Sequence, residues 1–171
     1  MIKILSCVMV FLSSYLLGYL KALDLEKRYL ILTSYNTSIV FIENEMSLIR
    51  ESVIDIIKKL ANTDMEISTF YKIVLSEKEK NPHLAISDIF KTATENYFKI
   101  VPLLKEDKDL FYLLGKSFGK SDIEGEIKIL NTLKTQLNTK TDKAKKDKEK
   151  NLKLYKSLGF YLGLLIIVML Y

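Results

Sequence analysis

The placement of apolar residues constrains this chain more than any other feature. Hydrophobic residues make up 49% of the 171, and much of that share is gathered at the two ends, in IKILSCVMVFLSSYLLGYL near the start and SLGFYLGLLIIVMLY at the finish. The first block opens like a secretory signal, with Lys3 before an apolar core at 4–12. Bulky Tyr15, Leu16, Leu17, Tyr19 and Leu20 then fill the region where a small-x-small cleavage site is required. Residues 4–20 are therefore read as an uncleaved membrane helix at the low end of spanning length. Ser13 and Ser14 are tolerable in lipid because their hydroxyls can bond back to the preceding turn.

The second block is shorter. Residues 157–171 reach about 22 Å at about 1.5 Å per residue, against a hydrocarbon core of about 30 Å. Lys153 and Lys156 can snorkel and Tyr155 and Tyr171 can sit at interface level, which closes part of the gap. Gly159 and Gly163 have the GxxxG spacing that lets two helices approach closely in lipid, here against 4–20 or a partner.

Charge orients both helices. From 140 to 156 there are eight lysines against Asp142, Asp147 and Glu149, a surplus equal to the whole chain's +5. Lys145, Lys146, Lys148, Lys150, Lys153 and Lys156 form a basic collar before the last block, positioned to touch anionic lipid. Lys21, Lys27 and Arg28 follow the first block. Both biases place the middle of the chain in the cytoplasm, as a helical hairpin whose loop has grown into a domain. The expected divisions are a transmembrane helix at 1–22, a cytoplasmic helical domain at 23–139, a juxtamembrane helix at 140–156 and a transmembrane helix at 157–171. The positive charge does not point to nucleic acid, because aromatic and basic residues never interleave as a stacking surface needs.

The middle is all-α by pattern. The chain has only six glycines and two prolines, and in the middle apolar residues return at threes and fours. Ile39, Ile42, Met46, Ile49, Val53, Ile56 and Leu60 make a three-heptad seam, with an interruption expected at 35–38. Thr63 and Glu66 have capping-box spacing for a helix running to about Glu79. Asn81-Pro82 and Pro102 mark the next turns, the second opening a helix at about Leu103 that ends near Phe118. Gly119 can end that helix, and Ser121 with Glu124 can cap the sixth, whose apolar face stops near Leu137 before the helix runs through the lysines into the membrane. A bundle of about six helices follows.

Chemistry-bearing motifs are missing. Cys7 is alone, which excludes an intrachain disulfide or thiolate metal cluster. There is no GxxxxGK[ST], no histidine pair and no cysteine–histidine pair. His83 beside Pro82 reads as an exposed helix-start residue, and Asp107, Asp109, Asp122 and Glu124 as helix-start and surface acids. No enzyme, cofactor or metal site is expected. From these residues alone the chain is a membrane-anchored assembly factor or, alternatively, a generic membrane-hairpin adaptor with a cytoplasmic interaction domain. Two short spans without a charged lumen residue argue against transport.

The run LKEDKDLFYLLGKSFGKSDIEGEIKILNTLKTQL, followed by KNLKLYKSLGFYLGLLIIVML, resembles the stage III sporulation protein AB family. The similarity lies in Leu114-Gly115, in the G-x-x-D of Gly119 and Asp122, and in the closing K-x-Y-K-S-L-G-x-x-x-G that ends at Gly163. MIKIL and Glu45-Met46 match more loosely. The chain departs from the family pattern at Glu126, where glutamine is usual, and at Glu51-Ser52, where Thr-Pro is expected. The resemblance implies a mother-cell membrane protein of the channel-like complex joining mother cell and forespore. It further implies a cytoplasmic domain similar to that of the type II secretion platform protein, and partners that include a cytoplasmic ATPase and other membrane subunits; a homo-oligomer is a separate expectation. In that setting Gly115, Gly119 and Asp122 shape a corner of the domain, and Gly159 and Gly163 form a membrane packing surface.

Overall fold

With so few helix breakers, the chain spends itself in helices, and two of them are very long. The computed structural model describes residues 2–49, 51–118 and 123–170, and among them there is no strand. α1 spans Ile2–Asn44 and passes into a π-helical turn at Glu45–Ile49. α2 (Val53–Ala61), α3 (Ser68–Lys80) and α4 (Ile86–Tyr97) follow. A 3₁₀ turn at Lys105–Asp107 leads into α5 (Lys108–Ser117), and α6 runs from Ile123 to Leu170. The chain divides into two units, one of residues Met1–Tyr29 with Lys143–Tyr171 and one of Leu30–Asp142.

The interruption expected at 35–38 does not occur. Tyr35 and Ser38 are buried inside a continuous α1, because their polar groups are satisfied without leaving the helix. Tyr35 donates its hydroxyl to the Leu110 carbonyl at 3.1 Å. Ser38 donates to the Tyr35 carbonyl at 2.7 Å, and its Oγ lies 2.6 Å from the Tyr71 hydroxyl. The break falls later, where Ser52 caps α2: its side chain accepts from the Asp55 N–H and donates to the Asp55 carboxylate at 2.7 Å. The heptad seam is thereby divided, with Ile39, Ile42 and Met46 before the break and Ile56 and Leu60 after it, all buried.

Two other starts also move. Thr63 does not cap a helix; its hydroxyl donates to the Leu60 carbonyl at 2.7 Å, and α3 begins at Ser68. After Pro102, the Asp107 carboxylate accepts from the Leu104 N–H at 3.0 Å and closes the 3₁₀ turn, so α5 begins only at Lys108. Asp107, expected at the surface, is fully buried.

The core of the Leu30–Asp142 unit is aromatic. Tyr35 stacks on Phe111 with ring centroids 4.4 Å apart, and Phe70 meets Phe111 edge-on at 4.9 Å and Phe90 at 5.8 Å. Edge and offset geometries of this kind favour the ring quadrupoles beyond simple burial. α6 closes the unit with Leu130, Leu133 and Leu137, all buried as the apolar face ending near Leu137 requires.

Candidate functional site

Among the described residues no catalytic constellation is assembled. Among the described residues no three His, Cys, Asp or Glu side chains come together to hold a metal. A surface depression of about 310 Å³ between α4 and α5 is lined by Ser87, Asp88, Lys91, Tyr112 and Lys116, groups of mixed charge. Beside it, Tyr112 donates to Glu95, which also takes Lys108 at 2.7 Å. The Glu95 contact pushes the Tyr112 phenol up to about 12, while Lys108 and then Tyr112 hold the Glu95 carboxyl below its ordinary range. What the molecule offers instead is two packed surfaces.

The first is the helix pair of the unit formed by the two chain ends. Gly18, Gly159 and Gly163 are where the backbones approach. A Cβ on Gly18 would lie 2.5 Å from the Tyr155 carbonyl and 2.9 Å from Gly159 Cα; one on Gly163 would lie 2.9 Å from the Phe11 ring. Ser14 does not bond back to its own helix. It donates across the pair to the Gly159 carbonyl at 3.0 Å, whereas Ser13 does bond back, to Met9 at 2.8 Å. Phe11 and Phe160 meet edge-on at 5.5 Å. The sequence reading picked out the two glycines on α6 but missed Gly18, a solitary glycine in an apolar block and the signal that would have shown the partner.

Further along the same pair the contacts become ionic. Arg28, only 3% exposed, reaches Asp147 at 3.6 Å. Lys148 pairs with Glu26 at 3.1 Å and lies 5.1 Å from the Tyr29 ring centroid. Ala22 and Ala144 are buried nearby in sequence. This juxtamembrane seam was not foreseen, because residues after Leu137 look uniformly polar until Arg28 and Asp147 are seen to face each other. Of the collar, Lys145, Lys146, Lys150 and Lys153 are exposed and Lys148 is half-buried; the Lys156 side chain lies outside the described residues.

The second surface is the close approach of α5 to α4. A Cβ on Gly115 would come within 2.4 Å of Phe90 Cβ, so the absent side chain is what lets Phe90 reach the core. Gly119 and Asp122 lie outside the described residues, as does the cap expected at Ser121. Glu126 is buried near the start of α6.

α1 and α6 each contain a window apolar and long enough to cross a membrane, and only 6% and 12% of those windows are buried. A core helix of a soluble protein would be mostly covered. With the lysine-rich flanks on the bundle side, the chain is a multi-pass membrane protein with a cytoplasmic helical bundle. Comparison with curated proteins and with solved structures gives no match. The model of the stage III sporulation protein AB family, a family of non-catalytic assembly proteins, matches residues 3–171, and the chain belongs to that family.

Proposed function

We propose that this chain is a membrane platform of the channel complex between mother cell and forespore, coupling a cytoplasmic ATPase to the complex's membrane subunits. Family membership over nearly the whole length carries the reading. It assigns the chain to a sporulation membrane complex, and a helical bundle held between two membrane helices suits a coupling part better than a catalyst. In this reading residues 1–22 and 157–171 anchor the protein in the mother-cell membrane. Residues 23–139 receive the ATPase, much as a secretion-system platform would, and 140–156 run between them. Gly115, Gly119, Asp122 and Glu126 shape the receiving domain. Gly159 and Gly163 pack the anchor, and Lys145, Lys146, Lys148, Lys150, Lys153 and Lys156 meet anionic headgroups.

Deletion is expected to block spore formation after engulfment while vegetative growth continues; a deletion strain that sporulates normally would sink the role. Capture of the complex's ATPase by the full-length chain in detergent separates the platform from a generic adaptor. An ATPase that binds other subunits but not this chain would leave only the adaptor.

A further inference from the structure

Between α4 and α5 the run Ile-Val-Pro-Leu-Leu at 100–104 lies outside any helix. Ile100 stands 61% exposed and Leu104 44%, and Val101, Pro102 and Leu103 are half-buried. A single exposed aliphatic residue is ordinary, but five in succession with none buried make a patch that calls for a cover. The backbone here suits an apolar one. Phe98, Lys99 and Ile100 donate their N–H groups to the Thr94, Asn96 and Tyr97 carbonyls at 3.0, 3.3 and 3.0 Å. Leu104 donates to the buried Asp107 carboxylate at 3.0 Å, and Pro102 has no N–H to satisfy. Donors already bonded in this way cost little to take out of water.

Place decides what covers the run. α1 enters the Leu30–Asp142 unit at Leu30 and α6 leaves it at Asp142, so the chain leads from that end of the unit to both membrane helices. The α4–α5 connection lies at the same end: Glu106 pairs with Lys140 at 3.5 Å, and the Tyr35 hydroxyl reaches the Leu110 carbonyl. In sequence Leu30 follows Lys21 by only nine residues, and Asp142 precedes Lys153 by eleven.

Net charge does not choose the partner. Lys99 and Lys105 bracket the run and are exposed, but so are Asp64 and Glu66 between α2 and α3, and Asp109 on α5. Of the nearer acids, Glu95 takes Lys108 and Glu106 takes Lys140. The aliphatic side chains carry the contact, and the two lysines can reach past them to the phosphates of any phospholipid.

We propose that residues 100–104 dip into the headgroup layer of the membrane that holds the chain, so that the bundle rests on the bilayer as well as being tethered to it by two helices. The inference stands apart from the platform reading, since it holds wherever an ATPase binds.

The test uses the full-length chain with Cys7→Ser, in vesicles of phosphatidylcholine and phosphatidylglycerol that include phosphatidylcholine with a nitroxide on its headgroup. A nitrobenzoxadiazole dye is attached at Ile100→Cys or Leu104→Cys. The control is Leu84→Cys, 45% exposed at the other end of α4, whose 12 residues span about 18 Å. Quenching at 100 and 104 is expected to exceed that at 84 at least threefold. The same ranking is expected in phosphatidylcholine without phosphatidylglycerol. Without dye, the cysteine at 100 should react with a charged, impermeant maleimide at least threefold more slowly than the one at 84. Equal quenching at all three positions would overturn the proposal. So would a blue-shifted dye at 100 that lipid nitroxide does not quench, which means a protein covers the run. Quenching confined to vesicles with phosphatidylglycerol would also sink it, because the lysines alone would then make the contact.

Discussion

Gly115 shows how much one missing methyl group decides. Alanine inside a helix is favoured over glycine by about 0.5–1 kcal/mol, but here its Cβ would meet Phe90 Cβ at 2.4 Å. Overpacking at such a contact costs about 1–3 kcal/mol, because a Cβ cannot swing aside as the end of a long side chain can. Gly115→Ala is therefore expected to lower stability by about 1–2 kcal/mol, read as a shift in the urea midpoint of the full chain in detergent. Tyr112 supplies a pH signature. Its phenol is raised to about 12 by Glu95, above the ordinary value of about 10. The stabilising contact is complete below pH about 10 and is lost as the pH climbs toward about 12. Tyr112→Phe should narrow the stability gap to the parent as the solution becomes that alkaline, and an unchanged gap across that range would refute the assignment.

At the scale of an element, α1 is held continuous by buried polar groups that local sequence marks as breakers. Ser38 and Tyr71 are 2.6 Å apart and fully buried. Burial raises the Tyr71 phenol and the Ser38 contact opposes that rise. Ser38→Ala should cost about 1–3 kcal/mol by leaving a buried hydroxyl without this partner, and adding Tyr71→Phe should recover part of the loss. Additive losses in the double variant would show that the two groups do not interact. Ser14 and Gly18 make the corresponding point in the end unit, where a hydroxyl expected to serve its own helix crosses to the Gly159 carbonyl. Which side a serine bonds to depends on what lies within 3 Å, and no spacing rule contains that distance.

For the whole molecule, the governing quantity is charge asymmetry along two helices that each belong to both units. The positive-inside bias acts through lysines near the membrane ends and counts acids little. Lys145→Gln, Lys146→Gln and Lys150→Gln together should raise the fraction of chains whose bundle is cleaved by protease added outside intact protoplasts. Full protection in that triple variant would mean the first helix alone sets topology.

The sequence by itself determined the all-α class, the two membrane helices, their orientation and the family. All of these rest on composition, period and local motifs, which survive without knowledge of neighbours. The ends of α3 and α5 and the buried Leu130, Leu133 and Leu137 were legible for the same reason. Only the tertiary structure decided that α1 continues through Tyr35 and Ser38, that Asp107 is buried, that Gly18 completes the glycine contact, and that Arg28 faces Asp147. The continuity of α1, the Gly18 contact and the Arg28–Asp147 pair each depend on groups at least 33 residues apart satisfying or crowding one another, and a polar or small residue takes its meaning from the partner that the fold brings to it.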